Sequence, residues 1–393
     1  MSEKNGNTYE LDLEKFIPAK KVEGPKSIEE LTQEELERFR EVGVDPEESG
    51  RLGTFIQADC NVLSCHCDMP EGVELLPITE ALHKYDWLRE NYYWKAVPAE
   101  KDIFTKLTAE DLDNGYFIRV RAGEKVIYPL QACLYIRTDN VAQRVHNIVV
   151  VEEGAELHII TGCTTSPHVV AGLHIGVSEF YVQKNAKLTY TMIHEWGEGV
   201  HVRPRTGIWV EEGGVMVSNY VSLDKVGSVK AFPVCRLRGP KAVGQFNSVI
   251  AAPQGTHLDL GSRVILEAPQ TRAEIISRTV CYGGEVIARG HLIGKAEEIK
   301  AHLECQGLML SDEGYILAIP ELEAHVSNVD MSHEAAVGKI AREEIEYLMA
   351  RGLSEEEATS LVVRGFLNVR IEGLPPELQE RIDKAIEESR KGL

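Results

Sequence analysis

The sequence predicts a mainly β protein with flanking α regions, its strands stacked as a solenoid. Three observations predict this: strand-like texture from about residue 115 to 315, a short motif recurring inside that stretch, and helical patterning confined to the two ends. In the middle, short β-branched runs alternate with Gly, Asn and Pro, and no long helical periodicity runs through them. Residues 151–157 (VEEGAEL), 182–188 (VQKNAKL) and 210–216 (VEEGGVM) share one pattern, and 266–275 is a looser copy. Each copy is a strand, a polar turn with Gly or Asn suited to positive φ, and another strand. The first three copies start 31 and 28 residues apart. That spacing suits coils that bury their apolar faces on their neighbours. A β-sandwich of ordinary hairpins is the competing arrangement.

The chain divides into an N-terminal helical and irregular region (1–110), a β core (111–320) and a C-terminal helical region (321–393). In the first, Ser27-Ile28-Glu29-Glu30 and Thr32-Gln33-Glu34-Glu35 read as helix starts, and a helix over 32–41 ends near Gly43. The aromatic stretch 82–95, with Tyr85, Trp87, Tyr92, Tyr93 and Trp94, is expected to cover one end of the core. Exposed strand edges at the ends of a solenoid need caps, which the helical flanks can supply. In the last region, Ser332 reads as the N-cap of a helix over 333–351, with Gly352 after it. Ser354 and Glu357 form a capping box for the next helix, to about Gly365. Pro375-Pro376-Glu377 opens a final helix ending at Arg390-Lys391.

Composition narrows the function. The formal net charge is −20, which opposes nucleic-acid binding, where neutralisation of phosphates by Lys and Arg dominates affinity. No apolar run approaches the ~18 residues of a membrane span, and the polar, acidic start MSEKNGNTYELDLEKF lacks a signal-peptide core. A cytoplasmic location is expected. In a reducing compartment the eight cysteines serve metal binding, thiol chemistry or plain burial rather than disulfides.

Three of them stand apart. Cys60, Cys65 and Cys67, with His66 and Asp68 beside them, fall within eight residues of a turn-like segment, where thiols can converge on one metal centre. An iron–sulfur cluster, a structural zinc ion and no metal at all remain open readings of this triad.

The segment 332–366 (SHEAAVGKIAREEIEYLMARGLSEEEATSLVVRGF) resembles the C-terminal signature of the SufB/SufD scaffold family of iron–sulfur cluster assembly. Further blocks agree in order: Gly162-Cys163-Thr164-Thr165 with Leu173-His174, His194-Glu195-Trp196, Phe232-Pro233-Val234-Cys235 with Leu237-Arg238-Gly239, and Cys305 with Asp312 and Pro320. The resemblance spans about 110–370. It implies a right-handed parallel β-helix between helical regions and a homodimer joined through β-helix edges. It further implies a SufC-like ABC ATPase on the C-terminal helices, a transient iron–sulfur cluster and recipient apo-proteins. Such a scaffold is not itself an enzyme, and no G-x-x-x-x-G-K-[ST] phosphate loop occurs here. By the same resemblance, His333 lies at the subunit interface and takes part in cluster formation, with Glu334 beside it. Cys163, Cys235 and Cys305 align with family cysteines, although burial alone accounts for them. The chain departs from the SufB pattern at 205–210, where no thiol stands in place of a sulfur-accepting cysteine. Competing readings are a metal-free partner that positions the ATPase and, from another class, a carbohydrate-active β-helix enzyme, whose clustered Asp, Lys and Arg are not evident.

Overall fold

The computed structural model describes residues 11–69 and 71–367. Parallel strands stack into a β-solenoid of about eight turns, with helices toward the two termini of the chain. Among these residues the strands form two sheets, of 12 and 10 strands. From Leu130 onward pairing runs from each strand to its counterpart one coil away, not to its sequence neighbour, which rules out the sandwich of hairpins. Among the described residues no helix is long and apolar enough to cross a membrane. The final helix expected after Pro375 lies outside the described residues.

The recurring motif is one corner of the coil. Val151, Val182, Val210, Leu237, Leu266, Gly294 and Ala324 stack in a single row. The turn after this row places one residue per coil at positive φ: Gly154 (+70°), Asn185 (+55°), Gly213 (+64°), Lys241 (+64°), Gln270 (+61°) and Glu298 (+58°). A buried turn N–H must find an acceptor. Here the left-handed residue aims it along the stack: Gly154 donates to the Lys184 carbonyl at 2.8 Å, Asn185 to Glu212 at 2.8 Å and Gly213 to Pro240 at 2.9 Å. The sequence marks this geometry where Gly or Asn occupies it and conceals it at Lys241, Gln270 and Glu298.

Alternate residues of each strand face the lumen. One inward row reads Leu130, Ile159, Tyr190, Ser218, Phe246, Ile275, Leu303 and His333. Its members from Leu130 to Leu303, Ser218 excepted, belong to the main hydrophobic core. The row beside it runs Ala132, Thr161, Met192, Tyr220, Ser248, Ser277, Cys305 and Ala335. A cavity of about 100 Å³ opens in the lumen among His194, Tyr220, Ser248 and Ser277.

The first rod end is closed by antiparallel strands. Gly53–Ala58 pairs with Asn61–Cys67, and Val73–Pro77 pairs with Tyr116–Val120. With the short strand Ile17–Pro18, four strands therefore occur in the region expected to be helical and irregular. Helix Gln33–Glu41 forms as expected, with the reciprocal Thr32–Glu35 capping box and Gly43 at φ +75°. It lies on the outer face of the 10-stranded sheet, where buried Glu35 accepts from Arg137 Nε at 2.7 Å and from the Tyr135 hydroxyl at 3.1 Å. The aromatic stretch covers a side of the rod rather than an end. Tyr85, Trp87, Tyr92 and Tyr93 pack on Phe117, Ile148, Val150 and Tyr181.

The C-terminal boundary also moves. Strands Tyr315–Ala324 and Val329–Lys339 carry the solenoid into the region expected to be helical from 321, and the next helix starts at Arg342. The helix expected over 333–351 therefore loses its first seven residues to a strand and starts only at Arg342. Glu334-Ala335-Ala336 favours helix locally. Yet strand Ile299–Met309 offers a register of eleven paired residues, and tertiary pairing overrides propensity. Ser332 is no N-cap; its hydroxyl lies 2.9 Å from His302 Nδ1. Downstream the expectations hold: Gly352 has φ +101°, and Ser354 and Glu357 bond reciprocally at 2.8 and 3.2 Å.

Gly154 tests the corner. A Cβ there would meet only the Gly123 Cα, at 4.0 Å, so Gly154→Val imposes backbone strain alone. It is expected to cost about 1–2 kcal/mol, read as a lowered Tm, whereas Gly338→Ala, with open space around it, leaves stability within about 0.5 kcal/mol of the parent and Tm nearly unchanged.

Candidate functional site

The rod's second end is where its chemistry collects. Strands Tyr315–Ala324 and Val329–Lys339 each pair on one side only, with the strand one coil back, and have no second strand neighbour among the described residues. Leu317, Leu322 and Val337 are exposed there. The helices do not cap this end. In helix Glu355–Leu367, Val363 and Leu367 join Val280 and Leu308 on the outer sheet face.

His333 closes the inward row above Leu303, and among the described residues no further coil covers it. Cys305, 1% exposed, sits two positions along from Leu303 on the same face, so Cys305 and His333 are diagonal neighbours at the open lumen. Burial pushes the Cys305 thiol up to about 11; Arg278 draws it back and Glu304 adds to the rise. Glu334 faces the opposite way. It continues an outer row through Glu304, which is bound to Arg278 at 2.7 Å. The structure thus separates His333 from Glu334, read together in sequence, and joins His333 to Cys305.

The N-terminal cysteines are placed differently from the expectation. Cys60 lies in a hairpin turn, while Cys65 and Cys67 sit on strand Asn61–Cys67 and, two residues apart, share its face. All three pack against the main core as apolar groups. Cys65 Sγ points to the Leu75 carbonyl at 3.6 Å and Cys60 Sγ to Asn61 Oδ1 at 3.6 Å. Burial pushes the Cys65 thiol up to about 12, and burial first of all raises Cys60 and Cys67 too. Among the described residues no three His, Cys, Asp or Glu side chains are arranged to hold a metal ion. The triad and His333 occupy opposite edges of the 10-stranded sheet, about 40 Å apart at ~4.8 Å per strand. They do not form one site within a chain.

Cys163 and Cys235 are wholly buried in the core, and burial raises both thiols. His174 and His194 are buried around Trp196. His174 Nδ1 meets Gln143 Oε1 at 2.8 Å, and His194 Nδ1 meets the Tyr220 hydroxyl at 3.0 Å. Burial pushes both imidazoles down to about 3.

Sequence reading missed Glu179. This wholly buried carboxylate accepts from the backbone N–H groups of Trp94 (2.7 Å), Ala96 (2.6 Å) and Val97 (3.0 Å), and lies 2.8 Å from His146 Nε2. It fastens the aromatic segment to the rod. A single charged residue within the apolar run Gly172–Val182 was the available signal.

Residues 134–366 match the family model described as SUF system FeS cluster assembly, SufBD core domain. A protein of Archaeoglobus fulgidus named "Iron-sulfur cluster assembly SufBD family protein" is 52% identical over 357 residues, covering 91% of this chain and 95% of that one. One of the same name from Methanothermobacter thermautotrophicus is 46% identical over 391 residues, covering 98% and 95%. A Pyrococcus horikoshii relative is 32% identical over 387 residues, covering 96% and 86%.

His174 and His194 give a pH prediction. Unfolded, each binds a proton below about pH 6.5; folded, each stays neutral down to about pH 3. The unfolded state therefore binds more protons in that window, and each histidine removes up to about 1.4 kcal/mol of stability per pH unit as pH falls. Asp113, its carboxyl pushed up to about 7 by burial, opposes them with one proton. Denaturant titrations from pH 7 to 4 are expected to show falling stability, with a shallower slope in His194→Asn.

Proposed function

The chain belongs to the SufBD family of iron–sulfur cluster assembly proteins, and on that premise we propose that it is a non-catalytic scaffold subunit. Two copies join through their open C-terminal edges, an ABC-type ATPase docks on the C-terminal helices, and a transient iron–sulfur cluster is built at the joined edge for delivery to apo-proteins. ATP hydrolysis belongs to the partner.

The observation that carries this reading is the uncovered last coil with His333 on it. An unpaired strand edge is a template for another chain. Of the two edges, Tyr315–Ala324 is blunted by Pro320, Glu321 and Glu323, whereas Ala335-Ala336-Val337-Gly338 is small, uncharged and open to pairing. Edge pairing about a two-fold axis brings the lumen mouths of two copies together, with His333 and Cys305 from each. Imidazole and thiolate suit iron. Because Cys305 holds its proton tightly, it becomes a ligand only when the metal displaces that proton, which suits a site that forms and releases its cargo. The helices Arg342–Met349 and Glu355–Leu367 leave Tyr347, Met349 and Leu361 exposed, a surface apt for a partner.

A second reading keeps the assembly and drops the metal: the chain positions the ATPase and holds no cluster. The protonated, core-packed state of the cysteines favours it.

Anaerobic reconstitution with ferrous iron and sulfide separates the two. The scaffold reading expects iron and acid-labile sulfide bound to wild type, most of it lost in His333→Ala, and no loss in Cys65→Ser/Cys67→Ser. Full retention in His333→Ala defeats the site, and no bound iron in wild type leaves the second reading. For the edge, Val337→Lys places a charge on the pairing strand and is expected to weaken self-association about tenfold or more, turning a dimer into a monomer by light scattering.

A further inference from the structure

The chain is acidic overall, yet one part of its surface is concentrated in positive charge. Lys101, Arg203, Arg205, Lys230, Arg263 and Arg289 gather on the outer face of the 12-stranded sheet. They reach across four consecutive coils, from the corner after Val200–Val202 through Ser228–Ala231 and His257–Leu266 to Glu285–Gly294. The carboxylates at ion-pair distance are Asp102, on Arg205, and Asp259, on Arg289 at 2.5 and 3.1 Å. Among the described residues no carboxylate lies at ion-pair distance from Lys101, Lys230 or Arg263, although Asp102 attracts Lys101 and Asp259 faces Lys230 across the sheet; Arg203, 2% exposed, lies buried beneath them. In a chain with 62 acidic and 42 basic residues, Lys101, Lys230 and Arg263 side by side run counter to the overall charge.

The cations are also held in place. Arg205 lies over the Phe104 ring at 5.1 Å and Arg263 over Phe232 at 5.2 Å. Arg203 Nη1 donates to the Val202 and Ser228 carbonyls at 2.9 and 3.2 Å, and its Nη2 to Ser228 Oγ at 2.9 Å. Arg263 Nε donates to His291 Nδ1 at 3.1 Å. A fixed guanidinium loses little freedom when it takes a carboxylate. The charges feel one another: burial and then Arg205 lower Arg203 to about 10, and burial and then Arg203 lower Lys230. Phe232 is half-buried beside Arg263, and Arg with aromatic side chains is the composition of protein interfaces.

We propose that this patch docks an extended acidic segment, rich in Asp or Glu, of a partner protein. The span decides the ligand class. Four coils at ~4.8 Å cover about 14 Å, too long for one small oxyanion but matched by an extended peptide, whose side chains recur on one face every ~7 Å. The acidic remainder of the surface repels such a segment and steers it to this face.

Fluorescence anisotropy of fluorescein-labelled oligoglutamate against the full chain tests it, at about 50 mM salt where screening is weak. Saturable binding is expected, weakened about tenfold or more in Lys230→Glu/Arg263→Glu, with circular dichroism checking the fold. Lys101→Glu, at an exposed position, is expected to weaken binding on its own. No binding by wild type, or equal binding by both variants, overturns the proposal. So does displacement of the peptide by inorganic pyrophosphate or a short DNA duplex at lower concentration than unlabelled peptide, which would assign the patch to a different ligand class.

Discussion

In-register parallel stacking is the constraint on which the rest of this structure depends. Each coil satisfies its backbone groups only through the coils before and after it, so a solenoid always has a first and a last coil with one side unmet. The chain treats its two ends unequally. At the first, Asn61–Cys67 and Val73–Pro77 turn back antiparallel and close the rod. At the last, Tyr315–Ala324 and Val329–Lys339 stop without cover among the described residues. The donors of the proposed site stand there because the inward rows, apolar for most of their length, end there.

Stacking also explains what could be read from the sequence. A corner that repeats once per coil leaves a trace wherever its left-handed residue is Gly or Asn, and 151–157, 182–188 and 210–216 showed it. At Lys241, Gln270 and Glu298 the same backbone is held by bonds along the stack, so residue type carries no mark. The capping boxes at Thr32 and Ser354 are local and were legible. The strand at 329–339 was not, because its partner lies thirty residues away in sequence and Glu334-Ala335-Ala336 favours helix when read alone.

The site was half legible. His333 and Cys305 both stood out through family resemblance, but their adjacency did not. Adjacency in sequence suggested Glu334, and strand alternation turns Glu334 outward. Cys305 is the neighbour on the same face, visible only once the register of Ile299–Met309 against Val329–Lys339 is known. For the N-terminal cysteines, closeness in sequence suggested a metal centre. The hairpin places all three against the core, where burial raises their thiols.

The central claim is that the last strand is an edge meant for a second copy. Amide hydrogen exchange across 329–339, followed as a function of protein concentration, tests it most directly. The account predicts slow exchange on the outward side of this strand at concentrations where the protein is associated, and fast exchange on dilution. Fast exchange at every concentration, with the neighbouring strand 299–309 still protected, would contradict it.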